Sequence, residues 1–207
     1  DNVKCVSAGN FYSLILKTDG SVWACGYNGS GQLGIGGDVD RTSPVKVMED
    51  VQNVSAGTIS SLFLKTDGSV FVCGAIGMQG IYSSNRRFVY AYTPVIFNSI
   101  NNETFISISC FSHSLLLKSD GSVIAFGYNL SGQFGNGSIN QEFQGYEWPI
   151  QMEIENVKTI SAGGNHSVLL KADGTAWACG QNSYGQLGNG TTTEKYIAVK
   201  IDLESVK

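Results

Sequence analysis

Apolar positions in this chain come in short paired runs, and each pair is split by Asp-Gly. The first pair is Ser13-Leu14-Ile15-Leu16-Lys17 and Ser21-Val22-Trp23-Ala24-Cys25, with Thr18-Asp19-Gly20 between them. Asp-Gly between two apolar runs predicts a β-hairpin, because both residues tolerate the positive φ of a primed turn. Apolar residues within these runs are successive rather than alternating. That suits strands covered on both faces, as in a stack of sheets. A third run, Pro44-Val45-Lys46-Val47, does alternate, and proline is tolerated at the first residue of a strand. A fourth run, Val54-Ser55-Ala56-Gly57, opens the next unit. No 3.6-residue apolar period of useful length is present, so helix is expected to be scarce.

The unit recurs. Leu-Lys-x-Asp-Gly-Ser/Thr occurs four times, from Leu16, Leu64, Leu117 and Leu170. The turn glycines Gly20, Gly68, Gly121 and Gly174 fall 48, 53 and 53 residues apart. Pro44, Pro94 and Pro149 share one repeat position. The fourth run returns as Val6-Ser7-Ala8-Gly9 and Ile160-Ser161-Ala162-Gly163, while Ile108-Ser109-Cys110 departs by running into Phe111. Four short strands in a repeat of about fifty residues predict propeller blades. The expected organisation is one repeat domain over 1–207, with repeats at approximately 1–48, 49–102, 103–154 and 155–207.

Between the second and third runs lies a glycine-rich stretch, Gly26-Tyr27-Asn28-x-x-Gly31-Gln32-Leu33-Gly34. It returns from Gly127 to Gly135 and from Gly180 to Gly188. Coupled to His-Ser-x-Leu-Leu-Lys-x-Asp-Gly, from His113 and from His166, it resembles the regulator of chromosome condensation repeat across essentially the whole chain. Copy two departs most, keeping a trace of the glycine loop in Gly74 to Gly80. The resemblance implies an all-β fold, a β-propeller usually of seven blades. Four repeats make it a partial or open ring: a piece of a longer propeller, an open arc, or a chain that closes with a partner. The end strands, Ser13 to Cys25 and Ser167 to Cys179, carry apolar residues on both faces, so two uncovered sheet faces and possible self-association through the terminal blades are expected.

Bulk properties narrow the partners. Net charge is −4, sequence pI is about 5.1, and no basic cluster exceeds Arg86-Arg87, which speaks against nucleic acid. No run approaches the eighteen or so apolar residues of a membrane helix. Five cysteines without a Cys-x-x-Cys pair point to a reducing, cytoplasmic compartment, with a secreted bacterial protein left open. Cys25, Cys73 and Cys179 share one position and read as small buried hydrophobes.

Residues that could carry chemistry read as structure. Gly29-Ser30-Gly31-Gln32-Leu33-Gly34 matches the dinucleotide fingerprint, but no helical pattern follows it. Asp19, Asp67, Asp120 and Asp173 are turn residues, one per blade. His113 and His166 occupy a position held elsewhere by Tyr12 and Ser60, which suggests a polar contact within a blade. Asn28, Asn129 and Asn182, with Gln32, Gln133 and Gln186, are expected to satisfy the backbone of a compact loop. Trp23 and Trp177 read as core. The family includes a plant ultraviolet photoreceptor that relies on clustered tryptophans, and two equivalent core tryptophans argue against that role. No catalytic residue, cofactor or metal site is expected.

The repeat is broken in two loops. Copy two carries Arg86-Arg87-Phe88-Val89-Tyr90-Ala91-Tyr92, and copy three Glu142-Phe143-Gln144-Gly145-Tyr146-Glu147-Trp148. Arginine and aromatics anchor interfaces, and loops on rigid scaffolds carry function. The partner-binding candidates are therefore Arg86, Arg87, Phe88, Tyr90, Tyr92, Phe143, Tyr146 and Trp148, with the aromatics expected to be more exposed than Trp23 and Trp177. The leading reading is a non-enzymatic protein–protein interaction scaffold with a protein partner. The resemblance also implies two alternatives: guanine-nucleotide exchange on a small GTPase, and a secreted bacterial inhibitor or surface protein.

Overall fold

A computed structural model describes residues 2–76, 89–97, 103–139 and 146–203, and for residues 76, 89 and 146–148 the backbone alone. The first sheet holds β1 (Val3–Ala8), β2 (Tyr12–Lys17), β3 (Val22–Gly26) and β4 (Arg41–Met48). The second holds β5 (Val51–Ala56), β6 (Ser60–Lys65), β7 (Val70–Ile76) and β8 (Val89–Ile96). The third holds β9 (Phe105–Cys110), β10 (His113–Lys118), β11 (Val123–Tyr128) and β12 (Tyr146–Gln151). The fourth holds β13 (Val157–Ala162), β14 (His166–Lys171), β15 (Ala176–Gly180) and β16 (Lys195–Lys200). Each sheet is an antiparallel meander in chain order, and the described residues contain no helix. The first strands β1, β5, β9 and β13 pack side by side, as inner strands of propeller blades do.

The Asp-Gly hairpins form, but by a different turn from the primed one expected. Lys17 N–H donates to Ser21 O (2.9 Å) and Gly20 N–H to Lys17 O (3.1 Å). Only the glycine has positive φ, +82° at Gly20, while Asp19 does not. This is a three-residue loop: a type I turn closed by a left-handed glycine bulge. The aspartate's role is side-chain bonding. Asp19 Oδ1 accepts from Ser21 N–H (2.9 Å) and Ser21 Oγ (2.6 Å), and Asp67, Asp120 and Asp173 repeat the pair. These bonds hold each carboxyl below its ordinary range, the hydroxyl contributing most.

Stacking explains the successive apolar runs. Residues of one strand alternate between two junctions. Leu14, Leu16 and Val22 of the first sheet meet Phe63 and Cys73 of the second. Leu62 and Leu64 then meet Leu116 and Phe126, and Leu115 and Leu117 meet Leu169 and Cys179. In the two middle sheets both parities are buried, as at Leu62, Phe63 and Leu64. In the outer sheets one parity is open. Ser13 is exposed and Ile15 half-buried on the first sheet, and Leu170 is exposed on the fourth. Cys25 and Trp23 lie on that open first face and are half-buried, so neither is the core residue expected. Trp177 is half-buried too. Lys17 and Lys171 cover the two indoles at 5.9 and 5.5 Å from the ring centroids.

Three of the four turn glycines also link to the next sheet. Gly20 O accepts from Val51 N–H (3.1 Å), Gly68 O from Phe105 N–H (2.8 Å) and Gly121 O from Val157 N–H (3.0 Å). A Cβ at Gly121 would stand 3.0 Å from Asn156 Cα, whereas one at Gly174 would meet nothing within 4 Å. Both have φ near +85°, so valine is strained at either. Gly121→Val is expected to lower stability by about 1–3 kcal/mol, and Gly174→Val by less, in urea unfolding followed by far-UV circular dichroism. Equal losses would mean that the contact with Asn156 carries no cost.

Candidate partner-binding surface

Up-and-down connectivity sorts the connections to two ends of the arc. The Asp-Gly hairpins lie at the base. The connections after the first and third strand of every sheet lie at the other end, the loop end. Charge divides the same way. Lys17, Lys65, Lys118 and Lys171 flank the base hairpins with the four turn aspartates, and the base also holds the pair Lys118–Glu103 (2.6 Å). At the loop end the described charges are few: Asp38, Asp40, Arg41, Glu194 and Lys195.

The glycine loops there are rigid for a chemical reason. Asn28 Oδ1 accepts from Leu33 N–H (2.9 Å), and its amide donates to Gly37 O (3.0 Å). Gln32 Oε1 accepts from Ser30 N–H (2.9 Å). Asn129 and Gln133, and Asn182 and Gln186, repeat the arrangement, so these residues bind backbone as expected. No helix follows Gly34, which removes the dinucleotide reading.

On this frame the loop end presents aromatic rings. Phe11 (70% exposed) and Tyr27 meet edge to face at 6.4 Å. Phe111 and Leu130 of the third sheet are exposed, and Tyr184 of the fourth is 91% exposed. Sequence reasoning missed all five because it searched where the repeat breaks. The available signal was topological: each stands in a connection at the same end.

The named candidates divide. Arg86, Arg87, Phe88 and Phe143 lie outside the described residues, and Tyr146 and Trp148 are described by backbone only, in β12. Tyr90 and Tyr92 are exposed at the start of β8, more so than Trp23 and Trp177. Tyr92 already has a packing role. A Cβ on Gly31 of the preceding sheet would stand 2.8 Å from the Tyr92 ring, and Gly36 N–H donates to Tyr92 O (2.8 Å). Tyr196 does the same over Gly132, with Gly137 N–H on its carbonyl (2.7 Å).

No nucleophile–base pair emerges among the described residues. His113 Nε2 lies 2.7 Å from Ser167 Oγ, across the junction between the third and fourth sheets rather than within a blade. The position faces the neighbouring sheet, which is why the contact is between blades. Tyr12 likewise donates to Ser60 O (2.6 Å) in the next sheet. Ser167 Oγ donates its single proton to Gln133 O (2.6 Å), so His113 must donate from Nε2 and hold Nδ1 unprotonated. That serine proton is committed to a carbonyl, the wrong direction for a base to take it. Burial raises the Cys73 and Cys110 thiols, and Cys179 to about 12, so none is a thiolate. No cluster of metal-binding side chains occurs among the described residues. A cavity of about 580 Å³ opens beside Met152, Glu153, Glu155, Lys171 and Trp177, away from the aromatic end.

Four stacked meanders with converging first strands define an arc of β-propeller blades. Sequence profiles of the regulator of chromosome condensation (RCC1) repeat match residues 19–64, 120–170 and 173–203, and a second profile of the repeat matches 3–32 and 157–186. The chain belongs to this repeat family. The stretch outside both matches, 65–119, contains the degraded glycine loop of copy two. The human probable E3 ubiquitin-protein ligase HERC6 is 34% identical over 193 residues, covering 87% of this chain and 18% of that protein. The ultraviolet-B receptor UVR8 of Arabidopsis thaliana is 24% identical over 96% of this chain and 46% of its own length. Among solved structures, human WBSCR16 (TM-score 0.81, 22% identity) and Prp20p of Saccharomyces cerevisiae (0.81, 21%) each superpose on 97% of this chain, which spans 53% and 50% of theirs. The chain therefore spans about a fifth of HERC6 and about half of the other three. The region it shares with them is the repeat.

Burial pushes the His113 imidazole down to about 3, with His166 adding a smaller push. Between there and its ordinary value near 6.5 the unfolded chain holds a proton that the folded chain refuses. This contribution is complete above about pH 6.5 and is lost as pH falls, by at most about 1.4 kcal/mol per pH unit for one proton. Between pH 6.5 and 5 the turn aspartates stay ionised. His113→Tyr, the residue the first blade uses, is expected to remove most of that slope in urea midpoints. An unchanged slope would place the proton uptake elsewhere.

Proposed function

We propose that this chain is a non-enzymatic protein-interaction scaffold whose partner surface is the loop end of the arc. The observation that carries this reading is the segregation itself: exposed aromatics at one end, most of the described charge at the other. Interface cores are enriched in aromatics and depleted in lysine and acidic residues. Tyr27 and Tyr184 stand on loops stiffened by buried asparagines, and Phe11 and Phe111 on short connections closed by the backbone bonds Gly9 N–H to Tyr12 O and Phe111 N–H to His113 O, so little conformational entropy opposes binding. The exposed Tyr90 belongs to the same end. Arg86, Arg87, Phe88 and Phe143, which lie outside the described residues, and Tyr146 and Trp148 stay candidates on their sequence alone. Among the similar structures, one is of yeast RCC1 (Prp20) bound to Kap60, and Prp20p is described with binding to Gsp1p and histones. Those partners support a protein as the kind of partner here.

Replacing Phe11, Tyr27 and Tyr184 together by serine is expected to weaken partner binding by at least about tenfold, since aromatic anchors commonly carry 2 kcal/mol or more, and to leave the melting temperature unchanged. Replacing Glu153 and Lys158 at the base by alanine should leave binding intact. Cross-linking with mass spectrometry on the assembled complex reads both. Cross-links confined to the base would overturn the assignment. Nucleotide release from a panel of small GTPases is expected to stay at its basal rate. A large acceleration would replace the scaffold reading with nucleotide exchange.

A further inference from the structure

One link between blades is longer than its counterpart, and a cavity opens beside it. Met48 pairs with Val22 at the end of the first sheet, and two residues, Glu49 and Asp50, lead from it to Val51 of the second. Met152 holds the equivalent place in the third sheet, its N–H on Val123 O (2.9 Å), but four residues, Glu153 to Asn156, lead from it to Val157 of the fourth. Asn156 takes the place of Asp50. Both have φ near +60°, and their carbonyls accept from Ala172 N–H and Thr66 N–H, each the residue after a base lysine. The longer link lines a cavity of about 580 Å³, and the fourth sheet forms its other side.

The same change strands charge. In the second and third sheets the base lysine meets an acid of the link that enters its sheet: Lys65 and Asp50 at 3.5 Å, Lys118 and Glu103 at 2.6 Å. In the fourth sheet the residue in place of Asp50 is the neutral Asn156, and Lys171 forms no ion pair among the described residues. Glu153 and Glu155 line the same cavity, and neither carboxylate has a partner among those residues. Lys171 stands over the Trp177 ring instead, 5.5 Å from its centroid. The indole N–H is committed to Thr175 Oγ1 (2.9 Å), so the ring is held in place and offers only apolar surface. Buried Met152 and Ala198 add to that surface.

We infer that this cavity binds a small zwitterion with an apolar side chain, of the amino-acid or short-peptide kind. An ammonium group fits Glu153 and Glu155, a carboxylate fits Lys171, and the side chain fits Trp177, Met152 and Ala198. A pure cation would face Lys171, and a pure anion would face two carboxylates. A ligand of both signs meets a partner at each end. Hydrogen bonds between ionised groups are about twice as strong as neutral ones, and an apolar wall beside them weakens the screening by water. The volume falls within the range of about 300–1,000 Å³ usual for small-molecule sites. The cavity lies between two sheets that are both described and away from the aromatic loop end, so it stands or falls independently of the scaffold reading.

The test is isothermal titration calorimetry of the full-length protein with L-leucine and with L-leucyl-L-leucine. At least one is expected to give saturable heat, with a dissociation constant of about 1 mM or below. The tighter of the two tells whether the ligand is a free amino acid or a peptide. L-Leucinamide, which lacks the carboxylate, and N-acetyl-L-leucine, which lacks the ammonium, are each expected to bind at least about tenfold more weakly than L-leucine. Lys171→Met and Glu155→Gln, checked for folding by circular dichroism, are each expected to weaken the tighter zwitterion at least about tenfold. Lys65→Met, at the equivalent lysine of the second sheet, leaves binding unchanged. Failure of both zwitterions to bind overturns the proposal. So does leucinamide or acetylleucine binding as tightly as L-leucine, binding that survives either cavity substitution, or an equal loss in Lys65→Met. The ligand series on the unsubstituted protein decides the matter by itself where a variant does not fold.

Discussion

Everything in this fold follows from covering sheet faces with neighbouring sheets. A sheet in the middle of the stack has no solvent side, so its inner strands are apolar at successive positions, as in Leu62-Phe63-Leu64 and Leu115-Leu116-Leu117. The two-residue period does not vanish; it is converted into an address. Even and odd positions report to different junctions, and one strand builds two cores that share no side chain. Stability is then a sum over neighbouring pairs of blades rather than the property of one centre.

That arrangement sets the terms for polar groups. A hydroxyl, amide or imidazole in a junction must find a partner there or pay the cost of desolvation. Ser61 and Ser167 therefore reach the carbonyls of Gln32 and Gln133, and Tyr12 and His113 reach across to the next sheet. The histidine that resembles a catalytic base is held neutral for this reason. Reactive chemistry needs a group that can change protonation near neutral pH, and the junctions are built to prevent it.

The blade was readable from residues because its signals are local. Asp-Gly between apolar runs placed the hairpins, and the period placed the stack. What was misread depended on geometry between elements. The turn was taken as primed because the dipeptide alone was weighed; the serine or threonine after the glycine, which the aspartate holds, makes the loop three residues long. The histidine contact was placed within a blade because runs that are apolar on both faces hide which residue points where. Trp177 packs against the core between the third and fourth sheets, half-buried, whereas Trp23, also taken as core, stands on a face that no blade among the described residues covers. The aromatic surface was missed because its residues are scattered in sequence, from Phe11 to Tyr184, and converge only once strand direction assigns their connections to one end.

The same topology explains why one end is free to evolve a partner and the other is not. The first two base hairpins are bound three ways: by their own aspartates, by the carbonyl before the first strand, as Thr18 N–H is by Asn2 O and Thr66 N–H by Asp50 O, and by the amide of the next blade. Changing their residues disturbs two blades. A loop-end connection needs only its asparagine, its glutamine and a few glycines, and everything between them can vary, as Gly29-Ser30, Leu130-Ser131 and Ser183-Tyr184 do. Residues freed from structural duty sit on a frame that remains stiff. Large aromatic rings exposed to water at such positions are what the proposed partner surface rests on.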